Sequence, residues 1–117
     1  MEITETKSEG ITTVAIRGRV DSATSGTLRE RLSALLESVP AQLIIDFRDV
    51  VYISSAGFRT LLIAAKQSES AKGALALCGI SSEVRRLFEI AAFTDLFRIF
   101  PSREEAIAAL ARTAGGS

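Results

Sequence analysis

The chain of 117 residues contains no histidine and no tryptophan, one cysteine and two prolines, and its 14 basic residues cancel 14 acidic ones. Each shortage closes a class of function. Without histidine there is no Ser-His-Asp or Cys-His relay to activate a nucleophile, and the common histidine-containing metal sites are lost too. That argues against an ordinary hydrolase, and the chain reads as a non-enzyme. The lone Cys78 cannot close an internal disulfide, which suits a reducing compartment. Zero net charge gives no global field to attract nucleic acid or an acidic membrane. No apolar run reaches about 18 residues, the length that marks a bilayer-spanning segment. The polar start MEITETKSEG lacks the apolar stretch of a secretory signal. These readings predict a cytoplasmic protein with no direct nucleic-acid partner and no membrane partner.

What is present is a hydrophobic fraction of 47%, enough at this length for one domain with its own core and no metal or disulfide staples. Met1–Lys7 and Ile11–Gly18 read as short strands around a Ser8-Glu9-Gly10 turn, which predicts an antiparallel hairpin. Gly18-Arg19-Val20-Asp21-Ser22 then breaks the strand, with Asp21 or Ser22 as N-cap of a helix. That helix carries an apolar stripe of Leu28, Leu32, Leu35, Leu36 and Val39 and stops at Pro40. Leu43-Ile44-Ile45 is an unbroken apolar run, expected of a central strand covered on both faces. Asp46–Tyr52 reads as a connection. Phe58, Leu61, Leu62 and Ala65 mark a second helix, closing in the polar segment that ends at Gly73.

Ala74–Cys78 is another short buried strand, and Ser81 or Ser82 caps a third helix bearing Val84, Leu87, Phe88 and Ala91. After a Thr94-Asp95 turn, Leu96–Phe100 reads as a strand and Ser102 caps a last helix with Glu104 and Glu105 in its first turn. Residues 113–117 read as a flexible tail behind a domain spanning 1–112. The order is β-β-α-β-α-β-α-β-α, an α/β fold with about four helices. Its sheet should be mixed but largely parallel.

Several residues invite a chemical reading and have a plainer one. Asp46 and Asp49 resemble a carboxylate pair for Mg²⁺, but acids in a loop are usually solvated, so no metal or cofactor is expected. Cys78, in a buried strand, reads as a small core residue rather than a reactive thiol. Phe93, Phe97 and Phe100 read as packing, and Arg85-Arg86 as a solvated helix face. Ser54-Ser55-Ala56-Gly57 stands where a strand hands over to a helix, where α/β proteins tend to place function. On spacing alone, a serine pair before an amphipathic helix is an N-cap pattern. The same place also suits an added phosphate, because free N–H groups and the helix dipole favour an anion there.

Four segments resemble, in order, the STAS domain family, and within it the small bacterial anti-sigma-factor antagonists. They are Gly18-Arg19-Val20-Asp21, Asp46-Phe47-Arg48-Asp49-Val50, Ile53-Ser54-Ser55-Ala56-Gly57-Phe58 and Ser82-Glu83-Val84-Arg85-Arg86-Leu87-Phe88. The resemblance implies that Ser55, two places before Gly57, is phosphorylated. The partner would be an anti-sigma factor with serine kinase activity, which the unmodified chain binds so that the sigma factor is released. A PP2C-type phosphatase would reverse the modification. Asp21, Ser54, Ala56, Gly57, Phe58 and Arg59 would surround the acceptor and form the partner surface. Ser54 stands where the family usually has Asp, which leaves Ser54 as an alternative acceptor. Arg59 stands where the family often has a small residue. The resemblance also admits a constitutive scaffold without a switch, as a partner of a lipid-transport ATPase or part of a stress-sensing complex.

Overall fold

In the computed structural model, which describes residues 1–37, 41–92 and 96–115 and side chains as far as Arg112, the chain opens with a hairpin. Strand β1 (Glu2–Ser8) pairs antiparallel with β2 (Ile11–Val20). Ser8 stands opposite Ile11, and the two turn residues Glu9 and Gly10 take φ of 55° and 77°. Two positive φ values are what a two-residue hairpin turn needs to match the strand twist. Helix α1 (Ser25–Leu36), β3 (Gln42–Ile53), α2 (Ser55–Ser70), β4 (Ala74–Cys78), α3 (Ser82–Ile90), β5 (Arg98–Phe100) and α4 (Arg103–Gly115) follow. The strands form one sheet in the order β1-β2-β3-β4-β5, antiparallel at the hairpin and parallel from β2 onward. The expected order and the mixed sheet are therefore what the chain adopts.

Two apolar clusters explain the arrangement. Leu28, Leu32 and Leu36 of α1, Phe58, Leu61 and Ala64 of α2, and Val84 and Phe88 of α3 pack with Leu43, Ile45 and Phe47 on one face of the sheet. Ala106 and Leu110 of α4 cover the other face, against Ile11, Ile44, Ala76 and Cys78. Leu43 and Ile45 thus serve one cluster and Ile44 the other, which is why that run has no alternation. Among the described residues no helix is long and apolar enough to cross a membrane.

The structure corrects the sequence reading in several places. Asp46–Tyr52 is not a connection: it belongs to β3, which runs for 12 residues. Between the pairs Ala15–Asp46 and Arg17–Asp49, β3 supplies one more residue than β2, and it does so again between Gly18–Val50 and Arg19–Tyr52. Each extra residue is a bulge that bends the strand and resets which side chains face the core. Gly18 does not break β2; with φ of 106° it sits beside the second bulge, and the strand continues to Val20. The N-cap of α1 is Thr24, not Asp21 or Ser22, because the chain makes a further turn before the helix starts. Helix α2 closes at Ser70, within the expected polar segment, and Lys72, with φ of 59°, takes the left-handed conformation after it. Leu96 and Phe97 precede β5 rather than extending it, and the backbone of α4 stays helical beyond Arg112 as far as Gly115. Ser102 caps α4 as expected, accepting from the Glu105 N–H at 3.2 Å. Val39, Pro40, Phe93, Thr94 and Asp95 lie outside the described residues.

Candidate functional site

The handover from β3 to α2 is built by Ser54. Its backbone is extended, with φ of −94° and ψ of 175°, and its Oγ accepts from the Gly57 N–H at 3.3 Å. Its carbonyl accepts from the Phe58 N–H at 2.9 Å, and its own N–H donates to the Val20 carbonyl at 2.8 Å. Ser54 is thus a serine N-cap held from both sides, satisfying a donor that the first turn would otherwise leave unpaired. Ser55, the next residue, is the first of the helix and is exposed. The cap role that a serine pair suggests falls on one serine and leaves the other with an outward hydroxyl.

The residues after Ser55 divide by direction. Ala56 is half-buried and Arg59 exposed, whereas Gly57 and Phe58 face inward. A Cβ on Gly57 would lie 2.7 Å from Ile53 Cγ1, 2.8 Å from Val20 Cγ1 and 3.1 Å from the Val20 carbonyl oxygen. The glycine is there so that the helix can start hard against β2 and β3. The Phe58 ring meets Phe88 edge-on, with centroids 4.8 Å apart, and Phe47 and Phe97 pack on the same Phe88. Gly57 and Phe58 therefore support the site from beneath, and the outer surface consists of Ser55, part of Ala56, and Arg59.

Asp21 reaches the same edge because it follows Val20, whose carbonyl holds Ser54. Its Oδ1 accepts from the Ala23 N–H at 3.0 Å and the Thr24 N–H at 3.2 Å. The Thr24 hydroxyl stands 3.2 Å from that oxygen and 3.0 Å from the Arg19 carbonyl, and it accepts from the Asp21 N–H at 2.9 Å. Partial desolvation pushes the Asp21 carboxyl up, but the Thr24 hydroxyl, the two N–H donors and Arg19 outweigh it and hold the group below its usual range. Asp21 is therefore an anion fastened in a loop one residue from the Ser54 contact.

Sequence reasoning missed three companions. Thr24 locks Asp21, and its spacing in Asp21-Ser22-Ala23-Thr24 was the available signal, one that a plain helix cap also produces. Arg19 lies over the Tyr52 ring at 4.3 Å, and Val51, which precedes Tyr52, is 66% exposed. No local pattern marks that stack, since it depends on the second bulge. Elsewhere, Asp46 accepts from the Arg48 N–H of its own strand at 2.9 Å, and Asp49 pairs in register with Arg17. Cys78 is fully buried, and burial together with the nearby Asp46 pushes its thiol up to about 12.

Known proteins resemble this chain over most of its length. The STAS domain family model matches residues 2–106. BtrV of Bordetella bronchiseptica, an anti-sigma factor antagonist by name, is 37% identical over 109 residues, covering 93% of this chain and 94% of that protein. The anti-sigma-B factor antagonist of Bacillus subtilis is 33% identical over 91 residues, covering 78% and 83%. Among solved structures, the phosphorylated form of the Bacillus cell fate determinant SpoIIAA superposes with a TM-score of 0.69 over 92% of this chain and 98% of that one. At 18% identity that likeness is one of fold.

Proposed function

Since the chain belongs to the STAS domain family, we propose that it is a cytoplasmic anti-sigma-factor antagonist switched by phosphorylation of Ser55. In this reading the unmodified chain binds an anti-sigma factor that is also a serine kinase. Phosphorylation ends the binding, and a PP2C-type phosphatase restores it. The observation that carries the choice of residue is the division of labour at the handover. Ser54 is occupied as the N-cap, while Ser55 is exposed and its neighbours beneath are core.

The chemistry supports a switch that acts on the partner rather than on the fold. A phosphate adds about −1.5 to −2 charges and three acceptor oxygens. At the first residue of α2 it would meet unpaired N–H groups and the positive end of the helix dipole, so the domain need not rearrange to hold it. The fastened Asp21 anion offsets part of that benefit. A partner shaped to a neutral serine would instead confront a hydrated dianion, and an uncompensated interfacial charge costs several kcal/mol, roughly a hundredfold or more in affinity.

The test is intact-mass analysis after incubation with the cognate kinase and ATP. One phosphate should be added, Ser55→Ala should abolish it, and Ser54→Ala should not. Labelling lost only in Ser54→Ala would move the switch by one residue. Partner binding that persists in fully phosphorylated protein would favour a constitutive scaffold.

A further inference from the structure

Among the described residues, the outer surface of α2 carries an uncommitted cation one helical turn beyond Ser55. Ser55 and Arg59 stand at i and i+4, and both are exposed. Side chains so spaced are neighbours on a helix, with Cβ atoms about 5–6 Å apart, which is within the reach of a guanidinium. Among the described residues no carboxylate lies within ion-pair distance of Arg59.

Several charged groups of the site and of the helices packed on α2 have partners or surroundings of their own. Asp21 is held by Thr24, Ala23 and Arg19, and Arg19 also covers Tyr52. On α1, Arg31 pairs with Glu5, while Arg29 lines a small cavity with Thr60 and Ile63 further along α2. On α3, which packs on Phe58, Glu83 is engaged by the Ser82 hydroxyl. Ser54 does not share the geometry. At i+5 it sits about 140° around the helix axis from Arg59, against about 40° for Ser55.

We propose that Arg59 is the residue that pairs with a phosphate on Ser55, so that the modified serine is gripped by its own helix. This rests on the reading of Ser55 as the acceptor. The planar guanidinium donates two N–H groups to two phosphate oxygens, the geometry arginine favours over lysine. The consequence for switching is double. In the unmodified chain Arg59 projects from the partner-facing surface, free to meet an acidic side chain. Once Ser55 is modified, the same guanidinium turns to the phosphate, and the partner loses a cation where it gains an anion.

The test places phosphoserine at position 55 of the full chain by amber suppression, with Arg59 intact or as Arg59→Gln or Arg59→Lys. The phosphate is titrated by ³¹P NMR at low salt. Its second pKa should be lower with Arg59 than in Arg59→Gln by about 0.2–0.4 units, the size of an exposed i, i+4 ion pair. Arg59→Lys should fall between them, and about 1 M salt should largely erase the difference. Equal values in the Arg59 and Arg59→Gln chains, whose unmodified forms are first matched by thermal melting, overturn the pairing. No kinase enters this measurement. A cognate kinase that labels another residue would therefore sink the Ser55 reading, while the titration separately decides the pairing.

Discussion

At the scale of single residues, the two adjacent serines differ in everything except composition. Ser54 engages three groups, the Val20 carbonyl and the N–H groups of Gly57 and Phe58, while Ser55 contributes an exposed hydroxyl. A cap serine replaced by alanine costs about 1 kcal/mol, so Ser54→Ala should lower unfolding stability by about that amount in urea titrations at neutral pH. Ser55→Ala should stay within about 0.5 kcal/mol, as an exposed substitution away from such features does. Ser54→Asp should preserve stability, because a carboxylate accepts from the same N–H and is favoured by the helix dipole. If Ser54→Ala proves as silent as Ser55→Ala, the division of labour is wrong. Serine and aspartate both cap helices, so Ser54 can do here what the Asp implied by the family resemblance would do.

At the scale of elements, the site depends on how closely α2 is seated on the end of the sheet. In Gly57→Ala the new methyl would press on Ile53, Val20 and the Val20 carbonyl. Overpacking of this kind costs about 1–3 kcal/mol, against a helix-propensity gain of about 1 kcal/mol. Gly57→Ala should therefore be destabilising in net, read as a lower urea midpoint at unchanged slope; a higher midpoint would show that the helix can lift away freely. The same seat shows why some of the fold was legible in the sequence and some was not. Leu43-Ile44-Ile45 and Ala74–Cys78 were readable as strands because burial on both faces leaves a continuous apolar run. Phe47, Val50 and Ile53 are as deeply buried, yet they recur every three residues because a bulge intervenes twice. A period of three matches neither a strand nor a helix, and the bulges exist only in the pairing with β2. The serines were legible as a cap-type pair, but which one caps depends on where the backbone turns from ψ of 175° into the helix. Asp21 was likewise visible as a capping acid, but that the cap itself is Thr24, with Asp21 locked onto it, needed the turn.

At the scale of the whole molecule, the missing histidines shape the response to pH. No imidazole can gain or lose charge between about pH 5 and 8, and among the described residues the displaced groups, Asp21 and Cys78, titrate outside that window. Asp21 is held below its usual range, so its contribution is present above the ordinary aspartate value of about 3.9 and fades as pH falls through its lower native value. Cys78 is displaced the other way, to about 12. Above about pH 8.5 the unfolded chain gives up this thiol proton while the native chain keeps it. The native state then binds more protons, and stability falls as pH rises. Cys78→Ala removes that difference, so between pH 9 and 11 it should lose less stability than the parent in urea titrations, whatever constant offset the substitution brings at pH 7. Parallel curves would mean that the thiol ionises as easily in the fold as out of it. Phosphorylation would bring in a group that titrates near pH 6, inside the window the sequence otherwise leaves empty of side-chain imidazole. A stability profile that acquires a slope around pH 6 only after modification would therefore report how the domain itself holds the phosphate, independently of any partner.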